Sequence, residues 1–163
     1  MEFSCSRGVL FDTLAVMSGV VKKNPPLLVL SNVLVSAEAE GRLHLFSTDL
    51  EVGVICSIPA QVSAAGELSL PARKLTDILR ELPEAQVSLA TEGTTCTVRC
   101  ENSRFSLMGI DAEDFPAKPD TSTDSSLTLV SPSISLITSA TPLGTRCSHS
   151  SPSTILLRIS VPE

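Results

Sequence analysis

Apolar positions along residues 1–115 follow two periods, and the change from one to the other predicts the elements. Alternating and β-branched runs predict strands at 2–6, 28–37, 42–48, 51–59, 66–70, 85–91, 94–101 and 104–110. Glu40-Gly41 and Glu92-Gly93 fall between consecutive runs, where glycine supplies the positive φ that a hairpin needs. Two stretches carry helical spacing instead. Residues 8–21 place Leu10, Leu14, Met17 and Val21 on one face, with Asp12, Ala15 and Gly19 opposite. Residues 72–82 place Leu75, Ile78, Leu79 and Leu82 inward and Arg73, Asp77 and Arg80 outward, with Pro71 just ahead and Pro83 at the end.

The pattern is duplicated. Glu2-Phe3-Ser4, followed by Leu10, Asp12 and Leu14, returns 65 residues later as Glu67-Leu68-Ser69, followed by Leu75, Asp77 and Leu79. Each half reads strand, helix, three strands. The expected fold is α+β, with two helices on one face of a continuous antiparallel sheet whose other face is exposed, related by twofold pseudosymmetry.

Beyond Asp120 the character changes. Of the last 43 residues 19 are Ser or Thr, a composition closer to a linker than to a packed core, so residues 121–163 are expected to be poorly ordered. Residues 126–129 followed by 136–141 still read as the strand and helix that open a further domain. Residues 142–163 fit no such pattern and are expected to pack poorly.

Composition narrows the function. Five scattered cysteines with no Cys-x-x-Cys pair indicate neither a disulfide framework nor a zinc site, and point to a reducing, cytoplasmic setting. No apolar run approaches the ~20 residues of a membrane helix. The net charge of −6 argues against a uniformly basic nucleic-acid surface, although a local stripe needs only a few of the twelve Lys and Arg residues. With five Phe and neither Trp nor Tyr, base stacking is not indicated, and any nucleic-acid contact is expected at the backbone.

Catalytic and metal chemistry finds little purchase. His44 alternates with Leu43 and Leu45 and reads as the solvent-facing residue of a strand. Cys96 and Cys100 share a strand face and read as buried thiols. Asp111, Glu113 and Asp114 have the charge for a divalent cation but not the spacing of a calcium loop, so an acidic loop is expected. No phosphate-binding loop, nucleophile elbow or dinucleotide fingerprint is present, and neither catalysis nor a cofactor is expected.

Several strings together resemble a known family. Met1-Glu2-Phe3, Pro25 to Asn32 leading into Val33-Leu34, Ser47-Thr48-Asp49-Leu50-Glu51, Leu70-Pro71-Ala72-Arg73-Lys74-Leu75, Asp77-Ile78-Leu79-Arg80, Leu82-Pro83-Glu84, Ser103-Arg104-Phe105-Ser106-Leu107 and Asp114-Phe115-Pro116 are similar, in order and spacing, to the bacterial sliding clamp, the beta subunit of DNA polymerase III. The resemblance covers residues 1–120. It implies the DNA-clamp fold: a ring of two subunits with three similar domains each, helices lining the pore and sheets outside. Residues 1–120 would be the N-terminal domain, and 121–163 a partial or aberrant start of the second.

The resemblance also implies partners and sites. The ring encloses double-stranded DNA without regard to sequence and tethers the replicative polymerase after a clamp loader has placed it. Lys22, Lys23 and Asn24 after the first helix, with Arg73 and Arg80 on the second, would face DNA, while Asp12 on the same side weakens the basic stripe. Lys74, Ile78, Phe105 and Leu107 resemble the patch that meets the partner subunit. The residues alone allow blander readings, with the lysines a solvated loop pair and Phe105 and Leu107 facing the core. A chain of this length would be a truncated clamp polypeptide lacking the polymerase-binding cleft. Alternatives are a module that engages a clamp or its own copies without encircling DNA, and a fragment without function.

Overall fold

The computed structural model describes residues 1–19, 21 and 27–116, with the backbone of 126–127 and 155–160. Its elements follow the order β1 (Glu2–Ser6), α1 (Arg7–Met17), β2 (Asn32–Glu38), β3 (Arg42–Thr48), β4 (Val52–Pro59), β5 (Gln61–Ala64), β6 (Gly66–Pro71), α2 (Ala72–Glu81), β7 (Gln86–Glu92), β8 (Thr95–Cys100) and β9 (Ser103–Met108). Setting aside β5, the unit strand, helix, three strands occurs twice, as the repeated phrase predicts.

The sheet is not continuous. It forms a five-stranded sheet, β5-β1-β7-β8-β9, and a six-stranded sheet containing β4-β3-β2-β6, the latter extended beyond β4 by β11 (Ile155–Ser160) and β10 (Ser126–Leu127), both in parallel pairings. The cause is an exchange of first strands between the halves. β1 pairs with β7 of the second half, Phe3 opposite Leu89, and β6 pairs with β2 of the first, Leu68 opposite Val35.

Two seams then link the sheets, and the same serine of the repeated phrase marks both. Ser4 lies opposite Gln61 where the chain beyond β4 returns to β1. Ser69 exchanges two backbone hydrogen bonds with Ile110, at 3.0 and 2.9 Å, where the chain beyond β9 returns to β6. Gly109 makes the second seam possible, because a Cβ at that position would stand 2.6 Å from the Ser69 carbonyl oxygen. Buried Asn32 ties the same point to β2 by donating to Ser69 Oγ at 3.1 Å.

The main apolar core of the described residues draws on both sheets and both helices. The equivalent residues of the two halves occupy equivalent places in it: Phe3 and Leu68, Leu10 and Leu75, and Leu14 and Leu79 are each no more than 2% exposed. Each such Leu or Phe stabilises the fold by about 1.5–3 kcal/mol relative to exposure. The helices keep their packed faces by local means. Pro71 presets the entry to α2, Leu82 leaves it in extended conformation, and Pro83 follows. In α1, helical geometry ends at Met17, short of the expected residue 21, yet Val21 is buried in the same core.

Other expectations need correction. Residues 28–31 form a 3-10 turn, not the start of a strand, and the Ser31 hydroxyl closes it by donating to the Leu28 carbonyl at 2.6 Å. β5 was not anticipated, since four residues with one large apolar side chain carry too little pattern. The outer face of the six-stranded sheet is partly covered, as Phe115 packs edge to face on Phe46 at 5.7 Å, beside Ile55. Of the proposed second-domain opening, 126–127 is a strand, whereas 128–154 and 161–163 lie outside the described residues. Within the segment expected to pack poorly, β11 runs beside β4 over six residue pairs.

The Gly109 seam yields a direct test. Gly109→Ala should lower the unfolding free energy by about 1–3 kcal/mol, since the new methyl group forces the backbones apart. Urea titration followed by circular dichroism reads this, and a change within error would show that the seam tolerates separation.

Candidate functional site

The exposed surface of the two packed helices is the first candidate. α2 presents Arg73, Lys74, Asp77, Arg80 and Glu81, and α1 presents Asp12, Ala15 and Val16. Arg73 and Arg80 are therefore solvent-facing, on the side their spacing predicts. Their charge is nonetheless balanced: Arg73, Lys74 and Arg80 are opposed by Asp12, Asp77 and Glu81, and Arg80 Nη1 lies 3.2 Å from Asp77 Oδ1. A surface so arranged attracts a phosphate backbone weakly. Lys22, Lys23 and Asn24 lie outside the described residues, between Val21 in the core and exposed Leu27.

The second candidate is the side of α2 that meets β9. Lys74 is exposed, Ile78 packs partly against the core, and Phe105 is 37% exposed. Leu107 departs from the expectation. It is 6% exposed and belongs to the core, so it offers no surface to a partner. Residues 105 and 107 point to the same face of β9, opposite Val98 and Cys96 of β8, but only the latter position is covered. Met108, on the other face, is 73% exposed and was not anticipated.

Arg7 also escaped the sequence reading. Its Nη1 lies 2.9 Å from Glu84 Oε2, its Nε donates to the Leu82 carbonyl at 3.2 Å, and its guanidinium sits 5.2 Å from the Phe11 ring centroid. One side chain thus fastens the start of α1 to the exit of α2. It lies one residue before the apolar period begins, where periodicity carries no signal. His44 is half-buried on the outer face of β3, with Nε2 3.3 Å from Glu38 Oε2. Asp111 precedes, and Glu113 and Asp114 lie within, a 3-10 turn at Ala112–Asp114, and among the described residues no group of three His, Cys, Asp or Glu is placed to hold a metal.

The four cysteines among the described residues are buried, which favours the protonated thiol. Removal from water pushes the Cys5 and Cys56 thiols up to about 12 and Cys96 to about 11, and raises Cys100 as well. Cys147 lies outside the described residues. Among those residues no helix is long and apolar enough to cross a membrane.

With this geometry in place, the comparisons with known proteins are specific. The N-terminal domain of the DNA polymerase III beta subunit matches residues 1–119. The chain belongs to that family. It is 38% identical over 120 residues to the beta sliding clamp of Micrococcus luteus, covering 74% of this chain and 38% of that protein. The beta sliding clamp of Escherichia coli K12 is 37% identical over 131 residues, covering 79% and 36%. Among solved structures, the Pseudomonas aeruginosa DNA polymerase III subunit beta superposes with a TM-score of 0.68 at 38% identity over 72% of this chain and 32% of that one. The Caulobacter crescentus beta sliding clamp gives 0.70 at 33% identity, over 75% and 33%. This clamp-family chain spans about a third of the length of these relatives.

Two measurements test these assignments. The double reversal Arg73→Glu with Arg80→Glu should change stability by no more than about 0.5 kcal/mol, because both side chains are exposed. Arg7→Ala should cost about 1–2 kcal/mol through its lost charged hydrogen bonds. If the reversal costs more than the Arg7 change, the helix-face arginines are structural. For the thiols, a folded pKa above the unfolded value of 9.0 means that the folded state holds more protons between about 9 and 12. Their favourable share of stability is therefore complete below pH 9 and is lost as the pH rises toward 12. Denaturant midpoints should fall across that window relative to a Cys5→Ala, Cys56→Ala variant, and parallel curves would contradict the assignment.

Proposed function

We propose that this chain acts as one arc of a DNA sliding clamp, a non-catalytic processivity factor that holds duplex DNA by enclosure and not by affinity. The observation that carries this reading is the match over residues 1–119 together with the doubled strand-helix unit, which packs two helices beside each other. The balanced charge of those helices supports it, since a lining that attracted phosphates strongly would resist sliding. Within the reading, Lys22, Lys23, Asn24, Arg73 and Arg80 face DNA and make few, sequence-independent contacts. Lys74, Ile78 and Phe105 meet another clamp subunit. The polymerase and the clamp loader act on the assembled ring, whose remaining domains supply their cleft.

A domain exchange tests the proposal. Residues 1–119 replace the N-terminal domain of the Escherichia coli clamp, and the chimera is loaded on nicked circular plasmid. Retention on circles and loss on linearisation are expected. A folded, dimeric chimera that is not retained on circles would refute the reading. The 163-residue chain alone should bind linear duplex no more tightly than ~10⁻⁴ M at physiological salt, the weak end of sequence-independent binding. Micromolar affinity, read by fluorescence anisotropy, would show that enclosure is not the basis of its hold.

A further inference from the structure

Without β11 and β10, β4 would be the last strand of its sheet, yet its residues are those of an interior strand. From Gly53 to Ile58 every residue is buried, although successive side chains point to opposite faces. Val52 to Ile58 carries no charge and no proline, so it lacks two of the features that keep natural edges from recruiting other strands. Strands covered on both faces read as such continuous apolar runs. The Ser57 hydroxyl is buried with no hydrogen-bond partner among the described residues, so water is shut out even at the polar end of the strand.

The main chain of β4 is divided between two neighbours. The Ala60 amide donates to the Gly41 carbonyl at 3.0 Å, and the Asp49 amide to the Val52 carbonyl at 3.1 Å. The register between β3 and β4 is unbroken from Arg42 opposite Pro59 to Thr48 opposite Gly53. Even-numbered positions of β4 therefore turn their main-chain groups to β3, and Gly53, Ile55 and Ser57 turn theirs the other way. There β11 lies parallel, with Leu156 opposite Gly53, Arg158 opposite Ile55 and Ser160 opposite Ser57. In that register the amides of Leu157 and Ile159 are directed to the carbonyls of Gly53 and Ile55.

Three features make this hold reversible. Parallel pairs are slightly less stable per residue than antiparallel ones. On its far side β11 meets β10 at only two residue pairs. Residues 117–154 tether it to Pro116, and a long tether keeps a strand near its site at a closure cost that rises only slowly with length.

We propose that β11 is a tethered edge cap, a strand the chain supplies to itself, which closes the β4 edge and gives way to a second extended apolar strand offered in the same parallel direction. Strand addition draws its affinity from the main chain, so a separate peptide with the β11 sequence suffices as the incoming strand. The inference concerns one strand and its edge and does not rest on the clamp reading.

The test uses the whole chain. In wild type the Gly53, Ile55 and Ser57 amides should exchange with deuterium at least about tenfold more slowly than in Leu157→Pro, which lacks one donor to β4, while the Val54 and Cys56 amides stay protected in both. A fluorescein-labelled peptide of residues 154–161 should bind Leu157→Pro at least about tenfold more tightly than wild type, because only the variant has its edge open. Ile159→Pro repeats both readings from the other end of the strand, which keeps them interpretable if Leu157→Pro disturbs the domain. Equal exchange at Gly53, Ile55 and Ser57 in wild type and variants overturns the cap. So does loss of Val54 and Cys56 protection in both variants, which would make β11 part of the folding core. A peptide that binds wild type and variants alike, or binds none of them, overturns the replacement of one strand by another.

Discussion

The exchange of first strands between the two halves is the constraint from which the rest of the molecule follows. β1 completes the meander of the second half and β6 that of the first, so neither half owns a finished sheet. At each seam the chain beyond a half's third strand returns to that half's own first strand, at Ser4 in one case and at Ser69 in the other. Every first strand is thereby held on both sides, once by each half. Burial of Phe3 and Leu68 depends on pairings with residues far away in sequence, which makes folding of one half dependent on the other.

That constraint also places the helices. α1 leaves β1 and α2 leaves β6, and since these strands occupy equivalent places, the helices arrive side by side over one core. Arg7, bonded to Leu82 and Glu84, then fixes the entry of one against the exit of the other. The surface they present is balanced in charge, with Arg80 engaged by Asp77 and Arg73 and Lys74 equalled in number by Asp12 and Glu81. In the proposed role as an arc of a clamp, topology would supply retention, and a balanced helix face would keep contacts weak enough for movement.

Much of this was legible in the sequence because the repeated phrase combines burial with spacing. Leu10, Leu14, Leu75 and Leu79 are legible as core residues since a helix returns to the same face every three or four positions. The strand exchange leaves no such trace, for pairing partners that lie tens of residues apart impose no local period; hence the expectation of one continuous sheet. Leu107 shows a second limit. It shares a face with Phe105, and alternation alone cannot distinguish a covered position from one at the open end of a strand. Arg7 shows a third: its role is set by three groups that meet only in the folded state, among them the Leu82 carbonyl, which no side-chain pattern encodes.

Edge strands connect the local structure to assembly. A fold built from two quasi-equivalent halves ends in two quasi-equivalent edges, β4 and β9, and whatever continues one sheet has a counterpart on the other. In this chain the β4 edge is taken by β11, so the equivalence is broken, while β9 ends its sheet. Main-chain hydrogen bonding is indifferent to sequence, so side chains decide which strand may dock there. Arg104 beside Arg99 disfavours a basic neighbour, while Phe105 and Met108 reward an apolar one.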